Sequence, residues 1–324
     1  MSAVDLIKKN IALELNQFDS FFKSEIKSQT YLLDLITKYI LRSKGKQMRP
    51  MLVFLSAKLN GEINQSSYSA AFLIELMHTA TLVHDDVVDD SMKRRGLFSI
   101  NALWKNKVAV LVGDFFLAKG LLHSVKNKEF DLLEIVSEAV KEMSEGELLQ
   151  TEKARLLNIT EDIYFEIIKK KTASLIAAAM MAGAKSVNAN EIQLETMHKI
   201  GILIGLAFQI RDDILDYELT NVIGKPTGND IKERKMTLPL IHVYSKANKE
   251  DKQWIMSVLK RHNTDSQKVK SLVEYVKKNG GIDYSVQKMT ELKNEAISLL
   301  SIYREDEIKD SFILLINYIT ERKK

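Results

Sequence analysis

Only three prolines and 13 glycines interrupt this sequence of 324 residues, and that scarcity of helix breakers constrains the fold more than any other feature. Both residues are strongly disfavoured inside helices, so a chain that avoids them can stay helical over most of its length. No segment shows the sustained apolar–polar alternation of a half-buried strand. The sequence therefore predicts a single all-α domain over residues 1–324, with its central helices buried on most faces.

Composition excludes several classes of protein. The sequence contains no cysteine, which removes disulfide scaffolds, cysteine-based zinc sites and thiol nucleophiles. Its formal net charge of +4 is too small to indicate a nucleic-acid partner. The N-terminal residues lack the pattern of a secretory signal, and the least polar stretches, 175–184 and 200–208, are far shorter than a membrane span. We therefore expect a cytoplasmic protein without stable membrane insertion.

Apolar periodicity predicts helices at about 3–42, 67–92, 101–126, 129–153, 161–184 and 190–219. An irregular stretch over 220–235, which contains Gly224 and Pro226, precedes four or so shorter helices. The helix at about 67–92 is apolar nearly all round, as expected of a buried helix, yet it ends in four aspartates. Such an ending needs a chemical explanation.

Two segments share the pattern Asp-Asp-x-x-Asp, and their members are Asp85, Asp86 and Asp89, and Asp212, Asp213 and Asp216. Carboxylates at i and i+4 share a helix face, and beside an apolar helix they repel one another and resist desolvation. A divalent cation relieves both costs, and Mg²⁺ is typically bound by carboxylates together with substrate phosphates. One such motif could be a solvated acidic helix end, but two in one chain indicate a magnesium site.

Basic residues accompany both motifs. Lys46 and Arg49 lie in the segment Gly45-Lys46-Gln47-Met48-Arg49-Pro50, near a helix start where free N–H groups also favour anions. The other basic groups near the motifs are Arg94, Arg95, Lys171, Lys225 and Lys235. A lone basic run is usually solvated surface. Several basic groups near two carboxylate clusters suggest a polyphosphate substrate, because arginine forks match phosphate oxygens.

The sequence resembles the trans-type isoprenyl diphosphate synthases, or polyprenyl synthetases, over about residues 40–245. The segments that carry the resemblance are GKQMRP, ELMHTATLVHDDVVDD, RRG, VGD, GELLQ, KTASL, FQIRDDILD and GKPTGNDIKERKMTLP. The resemblance implies an isoprenoid synthase-type helical bundle around a deep central cavity, and a homodimer. It also implies Mg²⁺-dependent condensation of isopentenyl diphosphate with an allylic diphosphate, such as farnesyl diphosphate, into an all-trans polyprenyl diphosphate.

The resemblance further implies roles for individual residues. About three Mg²⁺ ions, carried partly by the substrate diphosphate, would be held by both aspartate motifs. The expected allylic-diphosphate contacts are Arg94, Lys171, Thr172, Gln209, Lys225 and Lys235. The expected isopentenyl-diphosphate contacts are Gly45, Lys46, Arg49, His78 and Arg95. A single histidine in an apolar helix is more often a packed core residue, so the role of His78 depends on the family pattern alone. No side-chain base is obvious, and the departing diphosphate is the expected proton acceptor.

Product length is expected to depend on the helix face before the first aspartate motif. Ala80 and Thr81 are small at positions where short-chain members of the family often carry an aromatic ring. The growing chain would then pass this level and stop at Met77 or Leu73, which spacing places on the same side, for a product of about C30–C40. The two residues could also be small only to let helices pack.

Four alternatives remain open at this point. A short-chain synthase would make farnesyl or geranylgeranyl diphosphate. A non-catalytic subunit of a heteromeric synthase predicts degraded aspartate motifs, whereas both are intact here. A terpene cyclase predicts one intact motif and leaves GKQMRP unexplained. A helical nucleic-acid binder predicts a lysine-rich stripe and leaves the clustered aspartates unexplained.

Overall fold

The computed structural model describes residues 3–42, 45, 47–94, 96–218 and 228–321. Within those ranges the β-structure is one short antiparallel hairpin, β1 (Lys93–Arg94) with β2 (Leu97–Phe98), and helices form the rest of the framework. The predicted all-α fold is therefore confirmed. The chain divides into two compact units: Met1–Val140, Leu175–His198 and Tyr303–Phe312 form the first, and Lys141–Ser174, Lys199–Ile302 and Ile313–Lys324 the second. The single-domain organisation stays a prediction.

The helices in the first half of the chain are α1 (Ala3–Lys9), α2 (Ala12–Glu25), α3 (Tyr31–Arg42), α4 (Met48–Asn60), α5 (Gln65–Val88) and α6 (Ile100–Asn127). Helix α5 begins at a capping box, in which the Asn64 side chain accepts the backbone N–H groups of Ser66 at 2.8 Å and Ser67 at 3.3 Å. Its residues are buried nearly all round, and it packs along α4 and α6. This burial explains why its sequence has no polar face.

The N-terminal region corrects one prediction, because residues 3–42 form three helices instead of one. The first break is at Asn10, whose side-chain amide donates to the Glu307 carbonyl at 3.1 Å and to the Ser311 hydroxyl at 2.8 Å. The second break is at 27–30, where Ser28 Oγ accepts the backbone N–H of Thr30. Contacts with residues distant in sequence and a local serine turn thus interrupt a helix that the apolar periodicity predicts as continuous.

The second half of the chain is also helical, and its elements are α7 (Phe130–Leu156), α8 (Glu161–Ile168), a π turn (Lys169–Ala173), α9 (Ser174–Ser186), α10 (Glu191–Glu218), α11 (Asn229–Lys232), α12 (Leu238–Lys246), α13 (Lys249–Arg261), α14 (Ser266–Lys278), α15 (Gly281–Leu299), a 3₁₀ turn (Leu300–Ile302) and α16 (Glu307–Glu321). The helix predicted over 161–184 is therefore interrupted by a π turn. In the core of the second unit, Ile210, Ile214 and Tyr217 of α10 are fully buried. This core fixes the inward face of α10, which carries the second aspartate motif.

Among the described helices, α6 alone is long and apolar enough to cross a membrane by length and composition. Asp114 and Lys119 divide its apolar residues into shorter runs, so this helix does not stand out among the least polar stretches of the sequence. Helix α6 packs along α5, but several of its apolar side chains are exposed: Leu103, Val110, Leu111, Leu121, Leu122 and Val125.

Candidate active site

The first aspartate motif lies where α5 ends. Asp86 is buried, Asp85 is partly buried, and Asp89 is exposed at the C-cap position. Two groups hold Asp86: Arg94 Nε donates to its carboxylate at 2.8 Å, and the Asn101 side-chain amide donates to its backbone carbonyl at 3.0 Å. Arg94 is delivered by the hairpin that follows the motif. The predicted phosphate-binding arginine is therefore an ion-pair partner of a predicted metal ligand.

A cleft of about 900 Å³ lies beside Asp86 within the first unit. Four of the sequence-predicted site residues line it: Gly45, His78, Asp86 and Arg94. Its other walls are mainly apolar or aromatic, and Tyr39 donates a hydrogen bond to the Phe98 carbonyl at 2.7 Å across one edge. Arg49 is partly buried at the start of α4, whereas Lys46 and Arg95 lie outside the described residues. The structure thus joins the first motif to part of the predicted isopentenyl-diphosphate site.

The second motif lies on α10, and its central carboxylate is enclosed. Asp213 is 5% exposed; Tyr164 donates its hydroxyl to one carboxylate oxygen at 2.7 Å, and the Gln209 amide donates to the other at 2.9 Å. Asp216 accepts two backbone N–H groups at 3.1 Å each, those of Asn229 and Asp230 at the start of α11. Asp212 is partly buried. The motif is therefore rigidly held by α8 and α11.

Burial changes the acidity of this cluster. It raises the pKa of Asp213 to about 7, although the hydrogen bonds from Tyr164 and Gln209 act in the opposite direction. Asp230 is partly buried, and desolvation together with the charges of Asp213 and Asp216 raises its pKa to about 8. Desolvation raises the pKa of Asp216 as well. Acidic groups packed this closely favour either protonation or a bound cation.

Lys171 and Thr172 lie in the π turn between α8 and α9. The Thr172 hydroxyl donates to Gln209 Oε1 at 3.0 Å, while Lys171 Nζ donates to Gln150 Oε1 at 3.0 Å and pairs with Glu147 at 2.5 Å. A π turn is wider than an α-helical turn and often marks a functional site. The contact to the second motif runs from Thr172 through Gln209 to Asp213, so these three predicted residues belong to one network, while the adjacent Lys171 is held by Gln150 and Glu147 of α7.

Two glycines on neighbouring helices make room for this turn. A Cβ atom on Gly146 of α7 would lie 2.7 Å from the backbone nitrogen of Lys171. A Cβ atom on Gly205 of α10 would lie 2.4 Å from Ala173 Cα. Both neighbours are backbone atoms, which cannot move aside by a change of rotamer. The widened turn and its lysine are therefore clamped between two helices.

A second cleft, of about 610 Å³, lies within the second unit. The predicted residues that line it are Lys171, Thr172, Gln209, Asp213 and Lys235. Lys235 Nζ pairs with Glu233 at 2.5 Å. Lys225, the other predicted basic contact, falls outside the described residues.

Three residues of this cleft were missed by the sequence analysis. Asp230 lies inside the family-like segment GKPTGNDIKERKMTLP, so its position could be read from the sequence although its place in the cleft could not. Tyr164 and Gln150 act through contacts with Asp213 and Lys171. For Tyr164 no sequence signal exists, because a tyrosine in an apolar helix is ordinarily a core residue.

The donor set fits a hard divalent cation. No three acidic or histidine side chains among the described residues form a ready-made cluster that could hold a metal ion. Mg²⁺ characteristically uses one or two carboxylates, several waters and substrate phosphates, so it does not require such a cluster. A buried aspartate network with raised pKa values has the chemistry that a cation would neutralise.

The predicted chain-length positions lie in the interior of α5. Leu73 and Ala80 are fully buried, Met77 is 6% exposed, and Thr81 donates its hydroxyl to the His78 carbonyl at 3.0 Å. None of the four lines the cleft of the first unit. Their assignment to a product tunnel stays a prediction.

Comparison with known proteins adds independent findings. A sequence profile of the family described as Polyprenyl synthetase matches residues 30–276. The all-trans-nonaprenyl-diphosphate synthase (geranyl-diphosphate specific) of Rhodobacter capsulatus is 35% identical over 96% of this chain and 96% of its own. The crystal structure of the Caulobacter crescentus polyprenyl synthase, complexed with calcium and isoprenyl diphosphate, is 29% identical with a TM-score of 0.91 over 99% of this chain and 98% of that one. A geranylgeranyl pyrophosphate synthase from Bacteroides thetaiotaomicron is 35% identical with a TM-score of 0.85, over 99% of this chain and 100% of its own.

Proposed function

Because this chain belongs to the polyprenyl synthetase family and is a prenyltransferase, we propose that both clefts serve the condensation of isopentenyl diphosphate with an allylic diphosphate. One observation carries the assignment. Each unit joins an intact aspartate motif to the basic or polar residues expected to bind diphosphate: Asp86 with Arg94, and Asp213 with Gln209 and the π turn. Prenyl transfer needs such an arrangement, because the leaving diphosphate carries several negative charges.

In this proposal, Gly45 and His78 bind isopentenyl diphosphate in the cleft of the first unit, with Lys46, Arg49 and Arg95 expected beside them. Arg94 lines the same cleft and keeps its predicted role as an allylic-diphosphate contact. Lys171, Thr172, Gln209 and Lys235 bind the allylic diphosphate in the cleft of the second unit, together with Lys225. The apolar and aromatic walls exclude water, which would otherwise quench an allylic cation. The proposed proton acceptor is the departing diphosphate, since no residue assigned to either cleft among the described ranges is placed as a base.

Mg²⁺ fits both motifs, and when bound it would neutralise the diphosphate and make it a competent leaving group. The residues proposed to hold it are Asp85, Asp86, Asp89, Asp212, Asp213 and Asp216, in support of about three ions shared with the substrate. The calcium in the Caulobacter crescentus complex supports a divalent cation in this family. Tyr164 and Gln209 fix the orientation of the Asp213 carboxylate before a cation arrives.

The raised pKa values of the second motif and Asp230 give a pH prediction. The pKa values of about 7 for Asp213 and about 8 for Asp230 exceed the unfolded value of about 3.9, so their burial costs least when both are protonated. The free energy of unfolding of the metal-free protein is expected to fall as pH rises from about 5 to about 9. Added Mg²⁺ should restore most of this loss at the alkaline end.

Thermal unfolding in EDTA and in Mg²⁺, at several pH values, measures both effects. Asp213→Asn removes one titrating group and should flatten the profile without metal. An Asp213→Asn profile identical to that of the wild type would contradict the assignment.

We also propose a homodimer and a cytoplasmic location. The exposed apolar side chains of α6 support a dimer, because a monomer rarely leaves so many large apolar side chains of one helix in water. Leu111 is 58% exposed and Leu121 50%. A self-complementary contact along α6 would cover this face and account for an apolar helix that is only partly buried.

The proposed product is a medium-to-long polyprenyl diphosphate of about C30–C40, set by a tunnel that passes the small side chains of Ala80 and Thr81. The nonaprenyl name of one relative supports a long product, and the geranylgeranyl name of another keeps the short-chain alternative in the test. The experiment incubates the purified protein with Mg²⁺, farnesyl diphosphate and labelled isopentenyl diphosphate, and resolves the dephosphorylated products by length. Failure to condense any allylic primer would favour a non-catalytic subunit.

An Ala80→Phe variant tests the tunnel directly. Its phenyl ring should block the growing chain and shorten the product to about C15–C20. Ala80→Ser, which keeps a small side chain, serves as the matched control and should leave the length unchanged. Unchanged product length in a folded, active Ala80→Phe enzyme would refute the tunnel assignment.

A further inference from the structure

Helix α3 presents an unusual exposed face. Tyr31 is 81% exposed, Leu32 43% and Leu35 42%. Tyr31, Leu35, Lys38 and Arg42 follow one another at spacings of four, three and four residues, so they form one stripe along the helix. Its apolar half lies at the N-terminal end and its cationic half at the C-terminal end.

The end of α2 adds further cations beside this stripe. Lys23 and Lys27 line a groove of about 920 Å³ together with Lys38 and Arg42. The apolar side chains of Ile26 and Leu41 also line this groove. We name Tyr31, Leu32, Leu35, Lys23, Lys27, Lys38 and Arg42 together the α3 patch.

Nearby acidic groups compensate little of this charge. Asp34 pairs with Lys38 at 2.7 Å, and Glu25 is engaged with His123 Nδ1 at 3.1 Å. Across the described ranges, Lys23, Lys27 and Arg42 form no ion pair with a carboxylate, and all three are exposed. The α3 patch therefore keeps a net positive charge around its apolar tip.

We propose that the α3 patch docks this enzyme reversibly onto an anionic lipid bilayer. An exposed aromatic and two leucines can enter the headgroup region, while the surrounding cations meet lipid phosphates. A second copy of the chain fits the patch poorly, because a two-fold contact would bring its cations together. The inference extends the proposed function, since a product of many isoprene units is insoluble in water and must pass into a membrane.

Vesicle sedimentation with the purified full-length protein, without substrates, tests the proposal. The probes are vesicles of phosphatidylcholine alone and vesicles of phosphatidylcholine with phosphatidylglycerol. Wild-type protein should sediment with the anionic vesicles, and added salt should release it because the attraction is screened. A Lys27→Gln/Arg42→Gln variant should partition about thirty-fold more weakly, from about 1 kcal/mol for each cation.

Matched controls separate the patch from general effects of charge and hydrophobicity. Lys260→Gln/Lys270→Gln removes two exposed cations elsewhere and should bind like the wild type. Tyr31→Ser/Leu35→Ser should weaken binding, whereas Ile192→Ser, at a site 70% exposed on α10, should not. Equal binding of the patch variants and the wild type, equal binding to neutral vesicles, or no binding at all overturns the proposal.

A condensation assay in detergent, run on every variant, tests the proposed enzymatic function separately from membrane docking. The proposed function predicts full activity for all of these variants, because none of the substituted residues lies in either cleft. Absence of condensation activity in the wild-type protein would contradict the proposed function. The vesicle experiment would still decide the membrane proposal, because it is done without substrates. Normal condensation with unchanged vesicle binding of the patch variants would reject only the membrane proposal.

Discussion

An Asp86→Asn variant is expected to lose a factor on the order of 10²–10³ in kcat/KM, while Asp90→Asn stays within about two-fold of the wild type. Asp86 is buried and ion-paired with Arg94, whereas Asp90, in the same acidic segment, is exposed with φ of 49°. Asparagine is well tolerated at positive φ, so the control removes one charge without straining the backbone. In the Asp86→Asn variant the side-chain amide oxygen could still accept the hydrogen bond from Arg94, so the loss should come from the metal and not from the fold.

Steady-state kinetics at varied Mg²⁺ concentration distinguish these causes. The Asp86→Asn enzyme should require more Mg²⁺ for half-maximal rate, with its thermal midpoint near that of the wild type. An Arg94→Gln variant and the double variant complete a double-mutant cycle, in which a shared role appears as non-additivity. Equal losses in Asp86→Asn and Asp90→Asn would mean that only the overall charge of the segment matters.

The helices that carry the candidate site could be predicted where one local sequence pattern was enough. The all-round apolar sequence of α5 predicted a buried helix over about 67–92, and the structure has Gln65–Val88. Helix α6, expected over about 101–126, spans Ile100–Asn127. The shared face of each aspartate motif follows from the α-helical repeat alone and stays a prediction.

Other features could not be read because they depend on contacts between distant residues. The hydrogen bond from Tyr164 to Asp213 joins α8 to α10, and nothing near either residue signals it. Asn10 ends α1 through contacts with Glu307 and Ser311, close to the other end of the chain. Desolvation and the charges of Asp213 and Asp216 likewise give Asp230 its high pKa, and both depend on packing.

The π turn likewise could not be predicted from its own sequence, because it depends on the helices packed against it. The segment KKKTA has ordinary helical propensities, so its sequence predicts a continuous helix through this position. What makes the wide turn fit is the missing Cβ atoms of Gly146 and Gly205. Since that turn carries Lys171 and Thr172, a substitution at either glycine should act on the chemistry without touching a substrate.

A Gly205→Ala variant should lower kcat/KM on the order of 10²-fold and lower the thermal midpoint by about 5 °C. Its methyl group would lie 2.4 Å from Ala173 Cα and 2.6 Å from Ala173 Cβ, so the π turn must shift and carry Lys171 with it. Alanine normally stabilises a helix interior relative to glycine by about 1 kcal/mol, so destabilisation identifies the clash by its sign. The kinetic loss should appear mainly as a higher KM for the allylic diphosphate.

Gly183→Ala supplies the matched control in the first unit. Its Cβ would lie 2.3 Å from the Val53 carbonyl oxygen, so it should destabilise the protein comparably while leaving Lys171 in place. Assayed well below both thermal midpoints, it should keep a near-normal KM for the allylic substrate.

Lys171→Met, alone and combined with Gly205→Ala, shows whether the glycine acts through the lysine. The double variant should be little worse than Lys171→Met, because the same interaction is lost only once. Fully additive losses would mean that Gly205 supports α10 itself and not the position of Lys171.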